Sequence, residues 1–192
     1  LRRMLAYASL SHVGLVVLGI ASFDLQGMQG SVLQLLNFTL AAGGGFLLIS
    51  ALHHRIGSTD QLSLGGAARS MPLLASFFLL FGFAGMGLPG TSGFPAELLI
   101  LLSAFKHHTG AGLAALFAMV LGAVYFLSLY RRAFLGPVNN PVVADAMDLR
   151  PRELAFAIVL AFFILAVGFY PSAVLDVIKP AGEAWVARLH PQ

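Results

Sequence analysis

The sequence predicts an all-α fold, a polytopic transmembrane helical bundle of about five spans, one of them a discontinuous helix. Three observations predict it. Hydrophobic residues make up 58% of the chain and charged ones only 10%, against about 25% charged in a soluble domain whose surface faces water. Five apolar runs are each long enough to cross a hydrocarbon core about 30 Å thick, which takes about 20 residues as helix. Finally, Lys and Arg fall between those runs and segregate to alternate connections.

The first run extends from near Leu5 to Phe23 and the second from near Ser31 to Leu52. The third begins near Met71, breaks at Leu88-Pro89-Gly90-Thr91-Ser92-Gly93, and resumes from Phe94 to Phe105. The fourth covers Ala111 to Phe134 and the fifth Leu154 to Tyr170. Only helices and closed barrels satisfy the backbone in lipid, and continuous rather than alternating apolar runs select helices. Gly136 to Arg150, with Pro137, Asn139, Asn140, Pro141, Asp145 and Asp148, reads as a polar loop. Residues 1–174 form the transmembrane region on this reading. Residues 175–192 form a polar tail, in which Trp185, Val186 and Leu189 beside Asp176, Lys179, Glu183 and Arg188 suit a short amphipathic helix.

Alternating spans place Arg2, Arg3, Arg55, Arg69, Arg131, Arg132, Arg150 and Arg152 on one side, and only Lys106, Lys179 and Arg188 on the other. The positive-inside rule makes the first side cytoplasmic and puts the C-terminus outside. These flanking positions account for the net charge of +3, so no nucleic-acid surface is expected. Cysteine is absent, which excludes disulfides and thiolate sites. A leucine at position 1, with Arg2-Arg3 leading straight into an apolar run, reads as a cut inside a longer protein.

Glu97 is the only carboxylate inside any of the five runs. A charge at the bilayer centre costs at least about 2.5–3.5 kcal/mol, so such a residue faces protein or water and marks a functional site. Unwound backbone at membrane depth is tolerated only inside protein or along a cavity. Pro95 suits the first turn of the resumed helix, which would put Glu97 in that turn, near free N–H groups and the positive dipole end. The competing reading makes 88–93 a surface loop and Glu97 a helix cap. His12, in the first run after Ser9 and Ser11, is a second candidate for proton transfer; the competing reading is a neutral histidine bonded to a neighbouring helix. His53-His54 and His107-His108 flank spans without metal-ligand spacing, and no metal site is expected. Gly43-Gly44-Gly45 suits close helix packing. No nucleophile set, dinucleotide fingerprint or redox-centre site is evident.

These residues also resemble a family. Arg3-Met4-Leu5-Ala6-Tyr7-Ala8-Ser9-Leu10-Ser11-His12-Val13-Gly14 is similar to the opening signature of the antiporter-like subunit M (chain 4) family of complex I, the proton-translocating NADH:quinone oxidoreductase. Leu88-Pro89-Gly90-Thr91-Ser92-Gly93-Phe94 with Glu97 resembles its broken-helix motif. Gly122-Ala123-Val124-Tyr125, Leu129-Tyr130-Arg131-Arg132 and Phe134-x-Gly136 resemble the end of its next-to-last span. His54-Arg55-Ile56 to Asp60, Gly65-Gly66 and Met71-Pro72 occupy the matching cytoplasmic loop. The likeness runs in order from Leu1 to Pro137.

The resemblance implies the last five helices of a subunit of about fourteen, with the family's essential glutamate falling on Glu97. It implies proton translocation coupled to quinone reduction elsewhere, in a multi-pass subunit of a bacterial-type inner membrane. Its partners would be the bilayer and other membrane subunits of a complex I-like assembly. NADH, flavin, iron–sulfur clusters and quinone would belong to those partner subunits, and none to this chain. In one departure, Phe38 of Gln34-Leu35-Leu36-Asn37-Phe38-Thr39 stands where the family usually carries a histidine. Alternatives are a subunit of a Mrp-type cation/proton antiporter or membrane-bound hydrogenase, or a membrane scaffold that conducts nothing.

Overall fold

The computed structural model describes residues 1–60, 64–138 and 140–189. Among the described residues the secondary structure is helical, in the order α1 (Arg2–Ala21), α2 (Leu25–Ile56), α3 (Ala67–Ser70), α4 (Pro72–Gly85), α5 (Gly93–His107), α6 (Thr109–Phe134), α7 (Pro141–Ala144), α8 (Pro151–Phe169) and α9 (Ser172–Leu189). α1, α2, α6 and α8 are long and apolar enough to cross a membrane. α4 and α5 are the two halves of a discontinuous helix. The chain is a polytopic transmembrane helical bundle, as its composition requires.

α2 lies at the centre, against α1, α4, α5, α8 and α9. Its 32 residues span about 48 Å, more than a bilayer core requires. It outruns the expected Ser31–Leu52 at both ends because each end is capped chemically. Asp24 accepts from Gly27 N–H at 2.7 Å, and Gly57 closes the other end in the left-handed region, at φ 74°. Hydropathy registers the apolar middle of such a helix and not its caps.

α4 starts at Pro72, where a missing N–H does no harm. Its next two donors, Leu73 N–H and Leu74 N–H, reach Asp148 at 2.7 and 3.1 Å. The polar loop thus caps a helix distant in sequence, and it contains the single turn α7. Arg55 near the end of α2 donates to Glu153 on α8 and to the Met147 and Asp148 carbonyls. These contacts tie together the end of the molecule that carries most of the cations. In the adjoining core, Phe78 stands 5.9 and 5.0 Å from Phe126 and Phe134, ring centre to ring centre. Gly82 makes this possible, since a Cβ there would collide with the Phe126 ring.

The break runs from Met86 to Ser92, two residues earlier at its start than the sequence suggests. Gly87 and Gly90 take φ values of 64° and 90°, open to glycine at little strain. α8 approaches the break so closely that a Cβ on Gly168 would strike the Gly90 carbonyl. At the opposite end from Arg55, α9 packs on the start of α2, with Trp185 stacked 6.2 Å from Phe23. Asn139 of the expected loop and 190–192 of the expected tail lie outside the described residues.

Candidate functional site

Gln34 and Asn37 stand three residues apart on α2, which puts them on one face, and both are fully buried. Asn37 donates to the Ala84 carbonyl at 3.2 Å and accepts from Ser92 Oγ at 2.6 Å. Ala84 belongs to the last turn of α4, and Ser92 precedes α5. One amide therefore holds both lips of the break and supplements the long Gly87 N–H bond of 3.4 Å on a carbonyl whose regular helical partner is lost.

One turn along the same face, Gln34 Nε2 lies 3.4 Å from Glu97 Oε1. Glu97 is 4% exposed, and its Oε2 has no hydrogen-bond partner. A carboxyl buried in this way is unusual unless it has a role. It does not sit in the first turn of α5, as the sequence suggests. α5 already begins at Gly93 because Phe94 N–H bonds Thr91 O at 3.2 Å, so Glu97 falls on the second turn, beyond the free N–H groups. Glu97 makes no capping bond to the start of α5 and instead contacts Gln34. Gly87 leaves room for the carboxyl: a Cβ at Gly87 would collide with Glu97 Oε2.

His12 on α1 presents both ring nitrogens to carbonyl oxygens. Nδ1 is 2.7 Å from Ala8 O, and Nε2 is 3.0 Å from Gly85 O at the end of α4. A neutral imidazole carries one N–H and can serve only one of these acceptors, whereas an imidazolium serves both. Gly85 O lies at a helix C-terminus, where positive charge is favoured. The ring stands 5.1 Å from the ring of Phe38.

His12 and Glu97 share a cavity of about 80 Å³, also lined by Ser11, Phe38, Gly85 and Tyr125. No hydrogen bond joins them directly, and the cavity is large enough for bridging water. Among the described residues no three His, Asp or Glu side chains gather into a metal-binding group.

A second polar cluster escapes the sequence reading. Asp24 Oδ1 lies 2.6 Å from Ser103 Oγ and 3.3 Å from Ser22 Oγ, while His107 Nε2 and Lys106 Nζ are 3.3 and 3.7 Å from Oδ2. Burial pushes this carboxyl up, but hydrogen bonds from Ser103, Gly27 N–H, His107 and Ser22 outweigh it. Together they hold Asp24 below the ordinary carboxylate range. The polar residues at 103 and 107 fall on one face of α5, a signal visible in sequence only once Asp24 is known to face them.

Comparisons with known proteins bear on the fold and the family. A family model described as "NADH:quinone oxidoreductase/Mrp antiporter, TM" matches residues 1–122. NADH-quinone oxidoreductase subunit M of Rickettsia felis is 35% identical over 188 residues, which are 98% of this chain and 38% of that protein. A chain of respiratory complex I from Thermus thermophilus superposes with a TM-score of 0.91 at 33% identity, over 97% of this chain and 39% of its own length. A chain of the Mrp complex from Dietzia sp. DQ12-45-1b shares the fold, with a TM-score of 0.82 at 21% identity over 97% of this chain and 42% of its own. This chain therefore spans about two fifths of the proteins it resembles. With a buried carboxyl beside a broken helix and a family model covering most of its length, the chain belongs to the NADH:quinone oxidoreductase/Mrp antiporter transmembrane family.

Proposed function

We propose that the chain is the C-terminal part of a proton-translocating membrane subunit of a respiratory NADH:quinone oxidoreductase, in which Glu97 carries the transferred proton. The observation that supports it is the Glu97 carboxyl, buried at a helix break with Oε2 free of protein partners. Such an oxygen can bind and release a proton without breaking a protein hydrogen bond. Gln34 Nε2 donates to the other oxygen and holds the group's orientation.

His12 is the second proton carrier on this reading. A neutral ring serves either Ala8 O or Gly85 O, and a protonated ring serves both at once, so the proton can be held without losing the contact between α1 and the end of α4. Phe38 lines the cavity where relatives usually carry a histidine, so protons pass between His12 and Glu97 through cavity water. The partners are other membrane subunits of a complex I-like assembly and the bilayer of a bacterial-type inner membrane. NADH, flavin, iron–sulfur clusters and quinone reside in those subunits. The eight-arginine end faces the cytoplasm, so the C-terminus lies outside. Residues 1–174 span the membrane and 175–192 lie at its outer surface.

The full-length parent complex in proteoliposomes tests this reading. Glu97→Gln lowers pumping and coupled quinone reduction by about tenfold or more, with assembly intact. Unchanged pumping in an assembled complex would make the chain a scaffold, the reading favoured by the apolar Phe38 in the cavity wall.

A further inference from the structure

Gln34 and Asn37 are buried amides on one face of α2, yet they are bonded differently. Asn37 is committed at both ends, donating to Ala84 O at 3.2 Å and accepting from Ser92 Oγ at 2.6 Å. Gln34 makes one side-chain bond, the 3.4 Å contact from Nε2 to Glu97 Oε1. Its own Oε1 is buried and, among the described residues, has no hydrogen-bond partner. Buried amide oxygens are normally paired, so a role in helix packing leaves this acceptor unexplained.

The unpaired acceptor belongs to the neighbour of a group that needs one in one of its two states. Ionised, the Glu97 carboxylate only accepts, and Gln34 Nε2 suits it; protonated, the carboxyl also carries an O–H donor. The end groups of Gln and Glu turn about bonds with broad, roughly two-fold preferences. A half-turn of the amide exchanges Nε2 for Oε1 within the same volume, and a half-turn of the carboxyl brings its O–H to meet that oxygen. Asn37 has no such freedom, because turning would break both of its bonds. The cavity gives the turn a consequence. It reaches Glu97, His12 and Tyr125, but Gln34 is not part of its lining. The carboxyl therefore has a cavity side and an α2 side, and an O–H bonded to Gln34 is turned away from the cavity.

We propose that Gln34 is a positioning residue that latches the proton on Glu97: its amide donates to the carboxylate, turns when the carboxyl is loaded, and then accepts the O–H through Oε1. The inference rests on the reading of Glu97 as a proton carrier. No covalent bond of Gln34 is made or broken. The proton arrives at and leaves from the carboxyl, and only the direction of the Gln34–Glu97 hydrogen bond reverses. While latched, the proton is held out of the cavity until the amide turns back, which separates loading from release. The other titratable groups that face Glu97 are His12 on α1 and Tyr125 on α6, across the cavity. α4 carries no ionisable side chain, those of α2 and α8 stand at the ends remote from the break, and Lys106 and His107 close the far end of α5.

The test is infrared difference spectroscopy of the assembled parent complex between acid and alkaline pH. The C=O stretch of the protonated Glu97 carboxyl is the band that Glu97→Gln removes. Gln34→Met keeps the length and approximate volume of the side chain and removes the amide. In Gln34→Met the Glu97 band is expected to move to higher frequency, as its O–H loses an acceptor, and pumping per assembled complex to fall about tenfold. Wild-type complex isotope-labelled at the glutamine side-chain carbonyl gives a second reading that needs no substitution at position 34. An amide C=O band should change together with the Glu97 band and be missing from Glu97→Gln. A Glu97 band at the same frequency in Gln34→Met, or a labelled wild type without the accompanying amide band, overturns this inference and leaves the reading of Glu97 standing. If Glu97→Gln removes no carboxyl band, the inference falls together with the reading on which it rests.

Discussion

Asn37, on the unbroken helix α2, donates its side-chain amide to the Ala84 carbonyl 3.2 Å away. An uninterrupted helix would have offered that carbonyl to Leu88 N–H, which instead bonds Phe83 O at 3.0 Å. With Ser92 Oγ on its other end, Asn37 fixes where the broken helix stops and restarts. Asn37→Leu keeps the approximate volume, strands the Ser92 hydroxyl and leaves the Ala84 carbonyl only the long Gly87 N–H bond of 3.4 Å. A buried polar group left unpaired costs about 1–3 kcal/mol, so a lowered thermal unfolding midpoint is expected for the purified complex in detergent. An unchanged midpoint would show that the break holds itself.

Gly87 and Gly57 have similar positive φ values, 64° and 74°, but different surroundings. A Cβ at Gly57 meets nothing within 4 Å, whereas one at Gly87 collides with the Glu97 carboxyl. Both Ala substitutions carry about 1–2 kcal/mol of left-handed strain. Only Gly87→Ala should also displace Glu97 and cut pumping several-fold, by about the factor expected for a misplaced proton carrier. Pumping assays on both variants, normalised to assembled complex, separate the two effects.

Phe38 packs beside His12 in the cavity wall, its ring tilted by 32° and centred 5.1 Å away. Phe38→Leu removes an aromatic contact of about 0.5–1.5 kcal/mol and leaves cavity polarity unchanged. Phe38→His adds a proton site between His12 and Glu97. The expected result is an altered pH dependence of pumping in Phe38→His and an unaltered one in Phe38→Leu. Identical profiles in both would mean that Phe38 lies off the proton path.

Asp24 gives a pH dependence of stability with a definite sign. Its folded-state pKa lies below the ordinary carboxylate value, so the ionised form is favoured by folding. The resulting stabilisation is present above the unfolded pKa, near about 3.9, and disappears as pH falls through the lower folded value. Thermal midpoints measured from neutral to acid pH should fall in the wild type through this window, with a smaller loss in Asp24→Asn. Parallel curves would remove Asp24 from the account.

Much of the site was legible in the residues themselves. Pro89, Gly90 and Gly93 mark a helix break in any apolar run, and Glu97 is exposed as unusual by the absence of any other carboxylate in the spans. His12 stands out as the only histidine inside the five runs. What escaped was the turn on which Glu97 sits, because helix α5 starts through a Thr91–Phe94 backbone bond that no side-chain pattern announces. The limits of α2 escaped as well, since they depend on the Asp24 and Gly57 caps and not on apolar content.

Composition, span length and the spacing of arginines determined by themselves that this chain is a membrane bundle with one interrupted helix. Those properties are sums over many residues or rules about single backbone positions, and they hold whatever the packing. Only the tertiary structure decided that Asn37 holds the break, that Gln34 orients Glu97, and that Asp24 meets Ser103 and His107. These partners stand 47 to 83 residues apart, and each pairing depends on how helices rotate and slide against one another. A hydrogen bond is lost within an ångström of misplacement, a precision that hydropathy does not carry.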